Sequence, residues 1–69
     1  MGKTRGEVMP HIEGHRRSIR EHIDKYNRYD GYYKQDALNT INQIQKEIQK
    51  LKDQCNVSIE SSWEDYWTP

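Results

Sequence analysis

The sequence contains no phenylalanine and only one cysteine, Cys55, in 69 residues. A single thiol cannot form a disulfide within the chain, which excludes a disulfide-stapled secreted scaffold and favours a reducing compartment. No apolar run approaches the roughly 20 residues of a membrane span, and the first residues lack the apolar stretch of a signal peptide. We therefore expect a cytoplasmic protein with no membrane partner.

Apolar surface is also scarce. Hydrophobic residues make up 32% of the chain, charged residues another 32%, and the mean hydropathy is −1.28. A chain of this length forms one small domain, and so little apolar area barely offsets the entropy lost on ordering the chain. We therefore expect a homo-oligomer, and a protein that acts by binding rather than as an enzyme with a cofactor.

The net charge of zero hides an uneven distribution. Residues 1–35 carry eight Lys or Arg against five Asp or Glu, whereas residues 36–69 carry three against six. A basic half and an acidic half attract each other, within one chain or between two. This pattern favours assembly, and we expect no binding to double-stranded nucleic acid.

A first helix is predicted over residues 11–29, after a flexible lead-in of residues 1–10 that ends at Pro10. Apolar residues recur every seven positions on one face of this helix, at Ile12, Ile19 and Tyr26. A second, more polar row lies beside them with the same period, at His15, His22 and Tyr29, and Ile23 adjoins it. The charges have local partners at i,i+4, such as Arg20 with Asp24 and Asp24 with Arg28.

Asp30-Gly31 is a turn signal, and a second helix is predicted over residues 34–54. Its apolar residues alternate by four and three, the spacing of a coiled-coil seam: Ala37, Ile41, Ile44, Ile48, Leu51 and Cys55. Two helices joined by a short turn pack antiparallel, so the fold class is all-α, a helical hairpin of residues 11–55. We expect Ile41, Ile44, Ile48 and Leu51 to bind a second copy.

Residues 56–69 are predicted to form an extended connector and an aromatic helical turn. Ser61 and Glu64 match a capping box, which would open the turn and place Trp63, Tyr66 and Trp67 on one side. Two roles stay open for these rings, a lid over the hairpin core or an anchor on a partner protein.

The segment HIEGHRRSIREH, residues 11–22, holds three histidines and three arginines. His11 and His15, at i,i+4, have a spacing that suits a shared zinc ion, with His22 or Cys55 as a further ligand. The zinc-protease motif HExxH does not match, because the glutamate stands two residues after the first histidine. A His-rich zinc module is therefore an alternative, whereas the main prediction assigns no metal.

An anionic ligand is the second possibility for this segment. Arginines near a helix amino terminus suit phosphate, and tyrosines in the turn can stack on a base, which together favour a nucleotide or a single-stranded segment. The candidate ligand-binding residues are His11, His15, Arg16, Arg17, Arg20, Tyr32 and Tyr33.

Catalysis is the third possibility. GHRRSIREHIDKYNRY followed by ALNTINQIQKEIQKL, within residues 14–51, resembles the helical carboxy-terminal stretch of some bacterial polymorphic toxins. Those stretches combine a Gly-His, a Ser-Ile, a Glu-His and a Lys-Tyr before a helix rich in Ile, Gln and Lys. The resemblance implies roles for His15, Ser18, Glu21 and His22, and as an alternative function a nuclease fragment that uses His15 and His22.

The main prediction is a small non-enzymatic binding protein, an inhibitor, adaptor or ligand trap of phage or mobile-element type. We expect it to act as a homo-oligomer on an anionic ligand or on a protein target. The anion would be held by the arginine segment, and the protein by Trp63, Tyr66 and Trp67.

Overall fold

The computed structural model describes residues 2–69 and confirms the all-α helical hairpin. Helix α1 spans Arg5–Arg28, α2 spans Tyr32–Gln54, and a short α3 spans Trp63–Tyr66. The two long helices pack against each other along their length, and α3 contacts both. The hairpin is a rod with extents of 44 × 15 × 14 Å. None of its helices, in the part described, is both long and apolar enough to cross a membrane.

Helix α1 begins earlier than the sequence prediction, so the flexible lead-in of residues 1–10 is wrong from Arg5 onward. Thr4 is the N-cap, and its hydroxyl accepts a hydrogen bond from the backbone N–H of Glu7 at 3.3 Å. Val8 then extends the buried stripe one turn before Ile12, and both are fully buried. Pro10 lies inside the helix rather than at its start.

The residues before α1 are tied to the end of α2. The backbone N–H of Lys3 donates to the carbonyl of Gln54 at 2.7 Å, and the N–H of Asn56 donates to the carbonyl of Lys3 at 2.8 Å. At Gly2 a Cβ atom would lie only 2.9 Å from the Asn56 nitrogen, so the two backbones approach closely enough to require glycine. This contact closes the open end of the hairpin.

The turn between the helices is short, as predicted. Tyr29 caps the end of α1 with its N–H on the Lys25 carbonyl at 3.0 Å, and α2 starts immediately after Gly31. Gly31 has φ +66°, a left-handed conformation that a side chain would strain. The Asp-Gly signal therefore marks the turn that makes the helices antiparallel.

The core lies between the two long helices. Its fully buried side chains come from both helices: Val8, Ile12, Ile19, Ile41 and Ile48. Ile44 and Leu51 are half-buried and pack against this cluster. The predicted seam of α2 therefore packs within one chain, and Ile41 and Ile48 have no surface left for the second copy that we expected them to bind, because α1 covers them.

The carboxy-terminal tail folds back along the hairpin. After the connector, Ser62 caps α3, and its capping box pairs Ser62 with Asp65, one residue later than the predicted Ser61 and Glu64. Ile59 and Trp67 pack against the core, so part of the tail acts as a lid. Trp63 and Tyr66, in contrast, remain 57% and 65% exposed.

Candidate functional site

Two polar regions of the hairpin carry chemistry, and the first is a set of ion pairs under the tail. Arg16, buried on α1, donates from Nε and Nη2 to the two carboxylate oxygens of Asp65 at 3.0 and 2.9 Å. Nη2 of Arg16 also donates to the backbone carbonyl of Glu60 at 2.9 Å. This side-on, two-bond geometry is the strongest form of an arginine–carboxylate contact.

Two further cations complete this set. Lys52 Nζ on α2 lies 2.8 Å from Asp65, and Arg20 Nη1 on α1 lies 2.6 Å from Glu64. We call these five side chains the latch: Arg16, Arg20, Lys52, Glu64 and Asp65. The cations of the latch all belong to the long helices and the anions both belong to α3, so the latch fastens the tail to the hairpin.

The contacts within the latch shift the pKa values of Asp65, Glu64 and Arg16. Burial alone raises the pKa of Asp65, but hydrogen bonds from Arg16, Lys52 and the Ser62 backbone outweigh it and lower the pKa to about 2. For Glu64, burial is again opposed by hydrogen bonds, from Ser62 and Arg20 among others, and the pKa is lowered. The hydrogen bond with Asp65 raises the pKa of Arg16.

The basic and acidic halves of the sequence therefore meet within one chain. Arg20 crosses to the tail instead of pairing with Asp24, while Asp24 does pair with Arg28 at 3.1 Å as the i,i+4 spacing predicts. In residues 2–69 every buried side-chain nitrogen and oxygen has a hydrogen-bond partner. Charge attraction thus stabilises the fold of a single chain.

The second polar region is an open cleft of about 210 Å³ beside the turn. We call it the turn cleft, and its walls come from both long helices and the turn: His22, Lys25, Tyr29, Tyr33, Asp36 and Ala37. The rings of Tyr29 and Tyr33 are 6.0 Å apart, and Tyr32 lies edge-on to Tyr33 at 5.7 Å. Tyr33 is 67% exposed, so its ring is available to a ligand.

The turn cleft also contains groups that bind anions and bases. Nδ1 of His22 lies 2.8 Å from the Ser18 carbonyl, which can only accept, so this nitrogen carries the proton and leaves Nε2 as the free ring nitrogen. Lys25 supplies an ammonium group and Asp36 a carboxylate. An anion, an aromatic ring and a hydrogen-bond donor can therefore each find a partner in one cleft.

The predicted ligand-binding residues do not come together in one site. Arg16 and Arg20 are engaged by carboxylates of the tail, so they are not available to an external anion while the tail is closed. Tyr33 lines the turn cleft and Tyr32 adjoins it. The remaining candidates lie on α1 outside both the latch and the turn cleft, with His15 half-buried and His11 and Arg17 exposed.

The aromatic residues predicted to bind a partner protein differ in their exposure. Trp67 is half-buried and makes an edge-on contact with Tyr26 at 5.6 Å, whereas Trp63 and Tyr66 face solvent. The sequence did not point to Lys52, Glu64 and Asp65 of the latch or to Lys25 of the cleft as site residues, and it suggested His22 only for the zinc and nuclease alternatives. The one available signal was the opposite charge of the two halves, which predicts attraction but no particular pair.

The zinc alternative lacks a ligand set in this fold. Across residues 2–69, no three His, Cys, Asp or Glu side chains lie together in a way that would hold a metal ion. His15 and His22 are seven residues apart on a continuous helix, about 10 Å by helix rise. The nuclease alternative, which needs both histidines on one substrate, stays a prediction.

Comparison with known proteins found no matching family model, and no match among curated proteins or solved structures. The resemblance to polymorphic toxins therefore stays a prediction, and the function is argued from the two regions themselves.

Proposed function

We propose that the protein is a non-enzymatic binding module that takes a nucleotide, or the end of a single strand, in the turn cleft. The observation that carries this proposal is the meeting of an exposed tyrosine, an ammonium group and an imidazole in one open cleft. A nucleotide combines an aromatic ring with a phosphate, so it matches both kinds of group at once.

Each contact has a defined role. Tyr33 supplies a ring for the base to stack on and Lys25 pairs with the phosphate, while the unprotonated Nε2 of His22 accepts a hydrogen bond from a ribose hydroxyl. Asp36 accepts a hydrogen bond from an amino group on the base edge. Base stacking on an aromatic ring contributes roughly 1 to 3 kcal/mol and tolerates any base, so we expect weak sequence preference.

The size of the turn cleft limits the ligand. Pockets that enclose drug-sized ligands have volumes of roughly 300 to 1,000 Å³, and the turn cleft has about 210 Å³ and is open. It therefore suits one nucleotide unit and not an enclosed dinucleotide. Double-stranded nucleic acid is not a candidate, because its bases are stacked inside the duplex.

Titration calorimetry with three matched compounds tests the proposal. Adenosine monophosphate carries ring and phosphate, adenosine only the ring, and ribose 5-phosphate only the phosphate. We expect binding of the first to be at least tenfold tighter than of either other compound, because only it engages the ring of Tyr33 and the ammonium group of Lys25 together. Equal affinity for all three would contradict the proposal.

Two pairs of variants locate the site. Tyr33→Ala and Lys25→Gln remove cleft groups, and Tyr66→Ala and Lys46→Gln remove an equally exposed ring and an exposed ammonium elsewhere. We expect a fivefold or larger loss of adenosine monophosphate binding in the first pair and none in the second. The same loss in both pairs would indicate nonspecific attraction.

A protein target is the second candidate, favoured by the exposed rings of Trp63 and Tyr66 on the tail. Large aromatic side chains are frequent anchors at protein interfaces. Trp63→Ala should then abolish capture of a partner while leaving nucleotide binding and helicity unchanged. Loss of helicity would instead assign Trp63 to the fold.

A further inference from the structure

The latch has the composition of an anion-binding site that is already filled. Two guanidinium groups and an ammonium group converge on two adjacent carboxylates of the tail. The side-on contact of Arg16 with Asp65 is the geometry in which arginine also binds phosphate oxygens, with two parallel N–H bonds. The cations therefore suit a phosphate as well as a carboxylate.

The cationic half of the latch is built without the tail. Arg16 and Arg20 are four residues apart on α1, and Lys52 lies on α2, so the packing of the hairpin brings them together. The carboxylates come from α3, which has four residues and follows a connector without helix. Release of the tail would leave the three cations in place and open to solvent.

The tail is held mainly by polar contacts. Besides the latch, Gln45 donates to the carbonyls of Glu64 and Trp67 at 3.0 and 2.9 Å, and the apolar contribution comes from Ile59 and Trp67. Taking both partners of a buried ion pair out of water offsets much of their attraction, so exchange of the carboxylates for another anion loses little, whereas removal of one partner without a substitute is costly. A competing anion of similar charge can therefore displace the tail.

We propose that Arg16, Arg20 and Lys52 form a binding site for the phosphate groups of a small ligand, which Glu64 and Asp65 occupy as internal substitutes in the closed conformation. Two neighbouring carboxylates carry two negative charges, close to the charge of a phosphate monoester at neutral pH. Ligand and tail compete, so the ligand opens the tail. This site shares no residue with the turn cleft and needs no aromatic ring, so it does not depend on the proposed function.

A variant with an opened tail gives the most direct test. Glu64→Gln with Asp65→Asn keeps the shape of both side chains but removes their charge. The control Glu47→Gln with Asp53→Asn removes the same charge from exposed positions of α2. The probe is inorganic pyrophosphate, titrated calorimetrically at constant ionic strength.

We expect the tail variant to bind pyrophosphate at least tenfold tighter than the wild type, because Arg20 and Lys52 lose their carboxylate partners and Arg16 keeps only Glu13, at 3.4 Å. The control should match the wild type within twofold, and adding Arg16→Gln and Arg20→Gln to the tail variant should abolish the gain. Equal affinity of tail variant and control would overturn the proposal, since only net charge would then matter. Loss of helicity in the tail variant would overturn it too, because the hairpin must survive release of the tail.

Tail opening in the natural sequence is followed with Trp67 as the reporter. Trp63→Phe leaves Trp67 as the single tryptophan, and it is half-buried against the core in the closed state. Pyrophosphate should shift its emission to longer wavelength, whereas sodium chloride of equal ionic strength should not. Unchanged emission at concentrations that saturate the tail variant would show that the ligand cannot displace the tail.

Discussion

The latch and the turn cleft use similar residue types in opposite ways. In the latch the charges are paired across a long sequence distance, and Asp65 is only 3% exposed in its side chain. In the turn cleft Tyr33 stays 67% exposed, and the adjoining Tyr32 is 78% exposed. This polar chain therefore covers one surface of its hairpin with its own tail and leaves the groups at the turn end open to solvent.

A charge in the latch and a charge on the open surface of α1 also differ in what they contribute. The exposed pair of Arg28 with Asp24 lies in water, where such pairs contribute roughly 0.2 to 1 kcal/mol. Asp65 accepts hydrogen bonds from two cations and a backbone N–H in a buried position, so its ionised form is held much more strongly. The core therefore supplies most of the stability and the latch fastens the tail, whereas the turn cleft leaves Lys25, Tyr33 and Asp36 exposed.

The greatest loss of stability should come from a cavity in the core, because the core supports both the latch and the turn cleft. Ile41 is fully buried, and Ile41→Ala should lower the free energy of unfolding by about 3 to 4 kcal/mol through lost burial and the cavity left behind. Urea unfolding followed by circular dichroism measures this loss. Val57→Ala, at a position 50% exposed, should cost less than about 0.5 kcal/mol. Similar losses in the two variants would contradict the assigned core.

Breaking the latch alone should separate the two regions. Arg16→Met keeps an unbranched aliphatic stem but removes one of the two cations that contact Asp65, so the tail should open at a cost of about 2 to 3 kcal/mol. Trp67 emission should move to longer wavelength while nucleotide binding at the turn cleft persists. Arg17→Met, at the neighbouring exposed position, is the control and should change neither.

Acid should weaken the latch in a defined pH range. Asp65 has a pKa of about 2 in the folded chain against an ordinary 3.8. Its contribution of about 2 kcal/mol is therefore complete above about pH 5 and is mostly lost by pH 2, because from about pH 4 downward the unfolded chain takes up a proton that the folded chain binds only near pH 2. The stability difference between wild type and Asp65→Asn should shrink over that range. A difference that stays constant with pH would show that Asp65 does not supply it.

Local spacing predicted the helices but not every boundary. The alternation of Ile41, Ile44 and Ile48 was sufficient to predict α2, because burial along one helix face is a local pattern. The start of α1 was missed because Pro10 usually marks a helix start, whereas the structure places the N-cap at Thr4 and Pro10 inside the helix.

The site was less predictable because its contacts join distant residues. Arg20 has an acidic residue four positions on, but pairs with Glu64, 44 residues away, after the tail folds back. The turn cleft forms because the antiparallel packing brings His22 and Tyr33 to the same place. At this end of the hairpin only the tyrosines of the turn were predicted as ligand-binding residues, because residues of one turn lie near each other however the helices pack.

A substitution in the turn should alter the cleft more than the latch. Gly31 has φ +66°, and Gly31→Ala should cost about 1 kcal/mol because a Cβ is strained in this conformation, although the space around it is open. Thermal unfolding measures the cost, and Gly14→Ala inside α1 is the control. There the added methyl also meets open space, and better helix propensity should stabilise the chain slightly. A stabilising Gly31→Ala would contradict the left-handed turn.

The smallest effect on stability should come with the clearest effect on binding. The Tyr33 ring is 67% exposed, so Tyr33→Ala should change the free energy of unfolding by less than about 0.5 kcal/mol. Trp67→Ala removes a half-buried ring from the core and should cost more, with loss of the edge-on contact to Tyr26. Thermal unfolding and nucleotide titration of both variants separate stability from binding, since only Tyr33→Ala should lose affinity without losing stability. If Tyr33→Ala unfolds the chain, the turn tyrosines support the fold and the turn cleft is no open site.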